Sequence, residues 1–463
     1  MSLHDLTALE QAAAINAGEV SAVELTQHYL DRGAQSRGAF VTLTPEVALD
    51  QARRVDAGEI TGPLAGVVCP VKDLFFMVGS NTLFGSVAYD FPGQADDYVV
   101  QAMREAGLVF TGKTTTPEFG LPCYTEPDPS VSAPARCVWD TARTAGGSSG
   151  GAAVAVADGL APIAHGSDGG GSVRIPASAN GLVGIKPSRG RVSNGPLRDP
   201  IGDLVTSGPL ARTVADAAAL LDVMSRAFPG DPFHTPAPAT SFLDAARRDP
   251  GRLRIGYFTH GIITEAPVHP EAQAAVDGAV AALESLGHEV RAIHRPFGPD
   301  AMAQFEHLWY VLALLTPVMP DDEERLMPTT RWLRALGRDV TGISVAQAVS
   351  LARIHTRATL ALWADLDVVV TPTTNGPAPL VEDLVNLDDP AQDFQNQKDW
   401  AAYTAAFNLT GQPAMSLPLH WTKGGLPVGV QFVGQMYGEE TLLALAAQIE
   451  AAQPWAQRRP VTW

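Results

Sequence analysis

Residues 146–190 are dominated by glycine, serine and alanine, and no other feature so limits what the chain can fold into. Side chains this small let backbone segments approach one another closely, and glycine reaches backbone angles that other residues avoid. Within the stretch, residues 152–157 read as a helix, residues 162–164 as a short strand, and Gly169-Gly170-Gly171 as a turn that delivers Ser172. Such a segment suits a place where several parts of the backbone crowd together.

The flanking sequence supplies ordinary α/β material. Ser21-Ala22-Val23-Glu24 is a capping box that opens a helix expected to run to about Arg37, and amphipathic helices are expected at residues 45–57 and 97–106. The β-branched run at residues 64–71, bounded by Gly62-Pro63, predicts a buried strand ending just before Lys72. Residues 253–258, 271–286 and 289–293 read as strand, helix and strand, a unit that packs as parallel strands joined by a crossover helix. Proline-rich residues 228–238 and 371–379 look like surface connections. With 463 residues, 46% of them hydrophobic, the chain can bury a large core, and the lack of an internal repeat or clean linker favours one mixed α/β unit.

Charge and cysteine usage remove several function classes. A formal net charge of -18 leaves an acidic surface with no basic stripe for nucleic acid or anionic lipid. The three cysteines, Cys69, Cys123 and Cys137, are odd in number and lack metal-type spacing, which fits a reducing compartment. Residues 1–10 lack a basic run followed by an apolar one, and apolar segments such as residues 310–315 are far too short to span a bilayer. A cytoplasmic protein with neither nucleic-acid nor membrane partners is expected.

Three segments could carry chemistry. They are Pro70-Val71-Lys72-Asp73, Gly146-Gly147-Ser148-Ser149-Gly150-Gly151, and the run from Ser167 through Asp168, the three glycines, Ser172 and Arg174 to Ala177. Cleaving an amide requires a nucleophile, a proton shuttle that reaches the leaving nitrogen, and donors for the oxyanion of the tetrahedral intermediate. Three glycines before a serine leave backbone N–H groups unobstructed, as an oxyanion site needs; alone, they would more simply be a flexible turn.

Taken together, these segments resemble the amidase signature family. The match runs from GGSSGG at Gly146 to DxGGSxRxPA at Asp168, whose serine lies 24 residues beyond Ser148, with the PVKD segment upstream. It continues through Gly112-Lys113-Thr114, Pro117-Glu118-Phe119, residues 184–193, Val370-Thr371-Pro372-Thr373 and residues 407–413, densest over residues 62–196. Within the family, residues 165–178, with Gly169 where most members carry threonine, look like the version in 6-aminohexanoate-cyclic-dimer hydrolases.

The resemblance implies a large mixed β-sheet covered by helices on both sides, formed by a single domain over residues 1–463. Its catalytic core would span about residues 62–198, with a variable cover over the substrate pocket at about residues 297–349. It also implies a Ser, cis-Ser, Lys triad: Ser172 attacks the carbonyl, Ser148 relays the proton, and Lys72 serves as base and then acid. The amides of Gly169, Gly170, Gly171 and Ser172 would hold the oxyanion, and Asp168 and Arg174 would brace the loop by pairing. Lys72 can act as a base only when uncharged, which an apolar strand end would favour by desolvation. Cys123 and Tyr124 are candidates for the pocket wall, set against a plain loop. No metal and no cofactor are implied; the partner is a small-molecule amide, and family resemblance allows a homodimer.

Other patterns in the chain lose on context. Gly107 to Thr114 satisfies GxxxxGK[ST], which would make a nucleotide-binding protein, yet a helical pattern precedes it and strand-like residues fill it. Gly147-Ser148-Ser149-Gly150-Gly151 also matches GxSxG, which would make Ser149 the nucleophile, but the apolar strand that such an elbow needs is missing. The amidase subunit of a tRNA amidotransferase would share the triad but usually carries Gln where this chain has Ile175. The histidines lack zinc-binding spacing, and His165 is read as structural. Phe305, Leu308, Trp309, Leu312 and Leu315 recur at helical spacing and could form core or line an acyl pocket.

Overall fold

A computed structural model describes residues 2–36, 38–197 and 201–463. Its framework is a pair of sheets. The smaller has three strands, β1 (Phe40–Leu43), β2 (Val71–Lys72) and β3 (Gly112–Thr114), with β3 in the middle, antiparallel to β1 and parallel to β2. The larger has eight: β4 (Ile163–Asp168), β5 (Val183–Lys186), β6 (Thr206–Ala211), β7 (Arg254–Tyr257), β8 (Glu289–Ala292), β9 (Val368–Pro372), β10 (Ala414–Trp421) and β11 (Pro427–Gly434). Their order across the sheet is β8-β7-β9-β11-β10-β5-β6-β4. The β8, β7 and β9 pairs are parallel and the rest antiparallel, so the sheet is mixed.

Successive residues of the central strands point to opposite faces, and both faces are dry. Val368, Val370, Met415 and Phe432 pack on one side with Val276 and Leu283 of the helix Pro270–Ser285. Val369, Ala414 and Val433 pack on the other with Trp363 and Phe407. That explains the near-continuous apolar reading of Val368-Val369-Val370, and helices cover both faces as expected. The unit formed by β7, the helix Pro270–Ser285 and β8 is parallel, matching the reading of residues 253–293.

Several local expectations need correction. Residues 64–66 form a turn with Gly66 at φ 86°, and only Val68 makes an isolated bridge, to Val109, before the two-residue strand β2. The β-branched run is buried as predicted, but as side chains on an irregular backbone. Lys72 is therefore in the strand, not after it. The strand expected at residues 162–164 extends to Asp168. Thr371 and Pro372 end the buried strand β9 and are no surface connection; Pro372 is tolerated at a strand terminus. The helix opened by the capping box at Ser21 stops at Gly33, and Arg37 lies outside the described residues, as does Arg198 at the expected end of the core. Among the described residues no helix is long and apolar enough to cross a membrane.

Candidate active site

The three segments singled out from sequence meet beside β4, the outermost strand of the large sheet. Lys72 reaches the site from β2 with its side chain fully buried. Its Nζ lies 2.8 Å from Ser148 Oγ, 2.9 Å from Ser149 Oγ, 3.1 Å from Ser167 Oγ and 3.3 Å from the Ser167 carbonyl oxygen. Ser148 and Ser149 precede α1 (Gly150–Ala157), and the Gly147–Ser148 peptide is cis. Glycine is required at 147, because a Cβ there would sit 2.4 Å from the Tyr124 carbonyl oxygen.

Ser172 follows Gly171, whose φ of 132° and distance of 2.2 Å between a notional Cβ and Thr404 Oγ1 leave no room for a side chain. The Ser149 N–H donates to the Ser172 carbonyl at 3.1 Å, which ties the second segment to the third. Ser148 and Ser172 line the same cavity, although their hydroxyls are not hydrogen-bonded to each other among the described residues. The chain then enters α2 (Arg174–Asn180).

Asp168 and Arg174 are both fully buried and paired in a fork, Nη2 to Oδ1 at 2.8 Å and Nε to Oδ2 at 2.9 Å. Burial alone would push the Asp168 carboxyl up, but the Arg174 charge and hydrogen bonds, with Lys186 and Asn408, hold it well below the usual carboxylate range. Asp168 also accepts from the Gly171 N–H at 2.7 Å and the Val173 N–H at 3.2 Å. The expected set of four oxyanion donors is narrowed by this: the Gly171 amide is committed to Asp168. Those of Gly169, Gly170 and Ser172 have no protein acceptor among the described residues.

Two cavities open from Ser172. One, of about 570 Å³ including its mouth, is walled by Cys123, Phe305, Trp309 and Phe394, with Glu306 and Lys398 also in its lining. The other, of about 1080 Å³, is walled by Phe75, Phe84, Phe119, Leu312 and Leu315 and contains Ser148. Phe305, Trp309, Leu312 and Leu315 belong to α3 (Pro299–Leu315) within the expected cover, so this helix lines the pocket, while Leu308 is fully buried core. Cys123 is in the lining of the first cavity. Tyr124 does not: its ring is buried and its hydroxyl donates to the Asp393 carboxylate at 3.0 Å.

The helix α4 (Pro390–Trp400), not marked out in the sequence, brings Phe394, Gln397 and Lys398 to the first cavity. Phe394, Gln397 and Ala401 recur at helical spacing in an otherwise polar segment, a signal too weak to stand alone. Ser167 and Ser149 were not foreseen as partners of Lys72 either.

The rivals fail on geometry. Gly112–Thr114 is strand β3, and Lys113 is fully buried, paired with Asp73 at 2.9 Å and bonded to Thr82 Oγ1 at 2.9 Å, so no phosphate loop exists there. Ser149 is fully buried, out of reach of a substrate. His165 packs edge-on against Phe75 and its Nε2 meets Ser207 Oγ at 3.1 Å, a structural setting. No group of three or more His, Cys, Asp or Glu side chains among the described residues could hold a metal ion.

A family profile described as Amidase matches residues 22–443. The 6-aminohexanoate-cyclic-dimer hydrolase of Paenarthrobacter ureafaciens is 35% identical over 98% of this chain and 96% of its own length. The hydrolase of the same name from Pseudomonas sp. (strain NK87) is also 35% identical, over 98% of this chain and 96% of its own. A solved structure of 6-aminohexanoate cyclic dimer hydrolase complexed with substrate superposes with a TM-score of 0.92, at 33% identity, over 100% of both chains.

Proposed function

The chain belongs to the amidase family and is an amide-hydrolysing enzyme, and from that premise we propose that it works through Ser172, Ser148 and Lys72. The uncharged Lys72 amine takes the Ser148 proton as Ser148 takes that of Ser172, and Ser172 Oγ adds to the amide carbon. The amides of Gly169, Gly170 and Ser172 receive the oxyanion, each such donor being worth about 3–4 kcal/mol of barrier. Collapse of the intermediate breaks the C–N bond, and the proton held by Lys72 passes through Ser148 to the departing nitrogen. Water then attacks the acyl-enzyme along the same relay and releases the carboxylic acid.

The observation that carries this reading is the buried 2.8 Å contact between Lys72 Nζ and the Oγ of Ser148, which shares a cavity wall with Ser172. The link from Ser148 to Ser172 closes when a substrate fills the cavity, since catalytic hydrogen bonds commonly tighten only in the complex. By likeness to the relatives, the substrates are cyclic amides of the 6-aminohexanoate type. A cytoplasmic location belongs to the same proposal, supported by three free cysteines.

Purified protein screened by mass spectrometry against cyclic and linear oligoamides, aryl amides and esters should give amine and carboxylate products. Ser172→Ala should abolish turnover and Lys72→Ala nearly so, while His165→Ala still folds. Full activity in either of the first two variants would overturn the mechanism.

A further inference from the structure

The two cavities that meet at Ser172 differ in which catalytic group they contain. Ser148, which must hand its proton to the leaving nitrogen if the proposed mechanism holds, lines only the larger cavity. The departing amine must therefore face that side. Ser172, Leu121 and Trp309 line both cavities and form the waist between them. The acyl chain then occupies the smaller cavity, whose walls are apolar apart from Gln397 and one pair of charges.

That pair bridges the cover and α4. Lys398 Nζ lies 3.0 Å from Glu306 Oε1, and the second Glu306 oxygen accepts from the Tyr310 hydroxyl at 3.1 Å. Lys398 also lies over the Phe394 ring, 5.3 Å from its centroid. Both side chains are about three-quarters shielded, with 24% and 28% exposure. In a cavity walled mostly by apolar side chains an unpaired charge would attract an acyl terminus of opposite sign and repel one of the same sign. Paired, the two cancel.

Resting on the Ser172 reading, we propose that the Glu306–Lys398 pair is the specificity determinant of the acyl cavity. It restricts acylation to amides whose acyl chain ends without charge. The selected substrates are neutral at the far end of the acyl chain, as in N-alkanoyl amides or the ring of a cyclic oligoamide. Linear oligomers presenting a free carboxylate or ammonium on that side are discriminated against. Neither residue touches the reacting atoms; each acts on which substrates enter.

The test compares kcat/KM for 4-nitroanilides of hexanoic acid, adipic acid (a terminal carboxylate) and 6-aminohexanoic acid (a terminal ammonium). The wild type should prefer the neutral acyl chain. Glu306→Gln leaves Lys398 without its counter-charge and should raise the carboxylate-to-neutral ratio by about tenfold, the scale of a partly shielded charge contact. Lys398→Met should raise the ammonium-to-neutral ratio similarly. The double variant, with no charge, should return to the wild-type order, which separates charge recognition from damage to the fold. Hexanoyl amides of aniline and of 4-aminobenzoate, which carry the charge on the amine side, should keep their ratio in every variant. Turnover that requires Ser172 but shows unchanged acyl-side ratios, or changes confined to the amine-side pair, would overturn the assignment alone. Absence of any Ser172-dependent turnover of the three nitroanilides would overturn the proposed function and this inference with it.

Discussion

Replacing Arg174 by methionine tests how the nucleophile loop is held. Arg174 donates twice to Asp168, and also to the Thr404 carbonyl at 3.0 Å, Gln431 Oε1 at 2.7 Å and Asn408 Oδ1 at 2.6 Å, all without solvent access. Methionine fills much of the volume but leaves the Asp168 carboxylate buried beside an apolar side chain. Breaking a buried pair in this way costs about 3–5 kcal/mol, a third or more of a typical folding free energy. The pH dependence identifies the cause. In the wild type the Asp168 carboxyl is held below its ordinary value, so its contribution is present above the unfolded pKa near 3.8 and erodes only as the pH falls through the lower folded value. In the variant burial acts without its offset, the carboxyl rises, and protonation relieves the strain on acidification. The stability gap between the two proteins should therefore be widest at pH 7 and above and narrow towards pH 4.5. Lys186 opposes part of the effect. Burial first, and the Arg174 charge next, lower it to about 7, and it regains a proton when Arg174 is gone. Adding Lys186→Met to Arg174→Met should therefore widen the gap at pH 7. Urea unfolding from pH 4.5 to 8 measures all of this, and a gap under about 1 kcal/mol, or one independent of pH, would refute the argument.

Other consequences can be checked singly. Gly147→Ala should fold poorly or lose at least about a hundredfold in kcat/KM, because the new methyl meets the Tyr124 backbone and displaces Ser148, and misplacements near 1 Å cost on that scale; near-normal activity would contradict it. Lys113→Met should lower stability by about 3–5 kcal/mol in chemical denaturation by stranding Asp73, with no nucleotide binding by calorimetry in either protein. Glu450 is raised to about 7 by burial, with the Asp216 charge adding to it against the Val214 amide. Its penalty on folding is absent below the unfolded value near 4.5, grows as the pH rises through about 7, and is full above. Glu450→Gln should thus stabilise the fold above pH 7 and leave it unchanged near pH 4.5 in thermal melts; a gain confined to acid would contradict the sign.

How much the sequence revealed depended on whether local pattern or distant contact decides the structure. The parallel unit at residues 253–293 and the amphipathic helices were legible because hydrophobic period and caps are local properties. The run at residues 64–71 misled because burial and β-branching are shared by strands and by irregular backbone packed between layers, and Gly66 turns the chain there. Lys72, Ser148 and Ser172 were named by the family resemblance, and the glycines before the two serines mark where backbones crowd, for reasons visible at Gly147 and Gly171. The Asp168–Arg174 fork was foreseen from adjacency. The commitment of the Gly171 amide to Asp168 was not, since it depends on how the loop folds back on itself. Tyr124 was misplaced for a related reason: its partner Asp393 lies 269 residues away, on a helix whose pocket-facing side is marked by too few apolar residues.

The proposed chemistry rests on a serine hydroxyl that becomes acylated and on a lysine that makes this possible. Protein treated with an activated ester or a sulfonyl fluoride, quenched and mapped by peptide mass spectrometry, reports both at once. A single adduct on Ser172, formed rapidly in the wild type and slowly in Lys72→Ala, is the predicted result. Labelling of Ser148 or any other residue in place of Ser172, or equal rates in the two proteins, would contradict it.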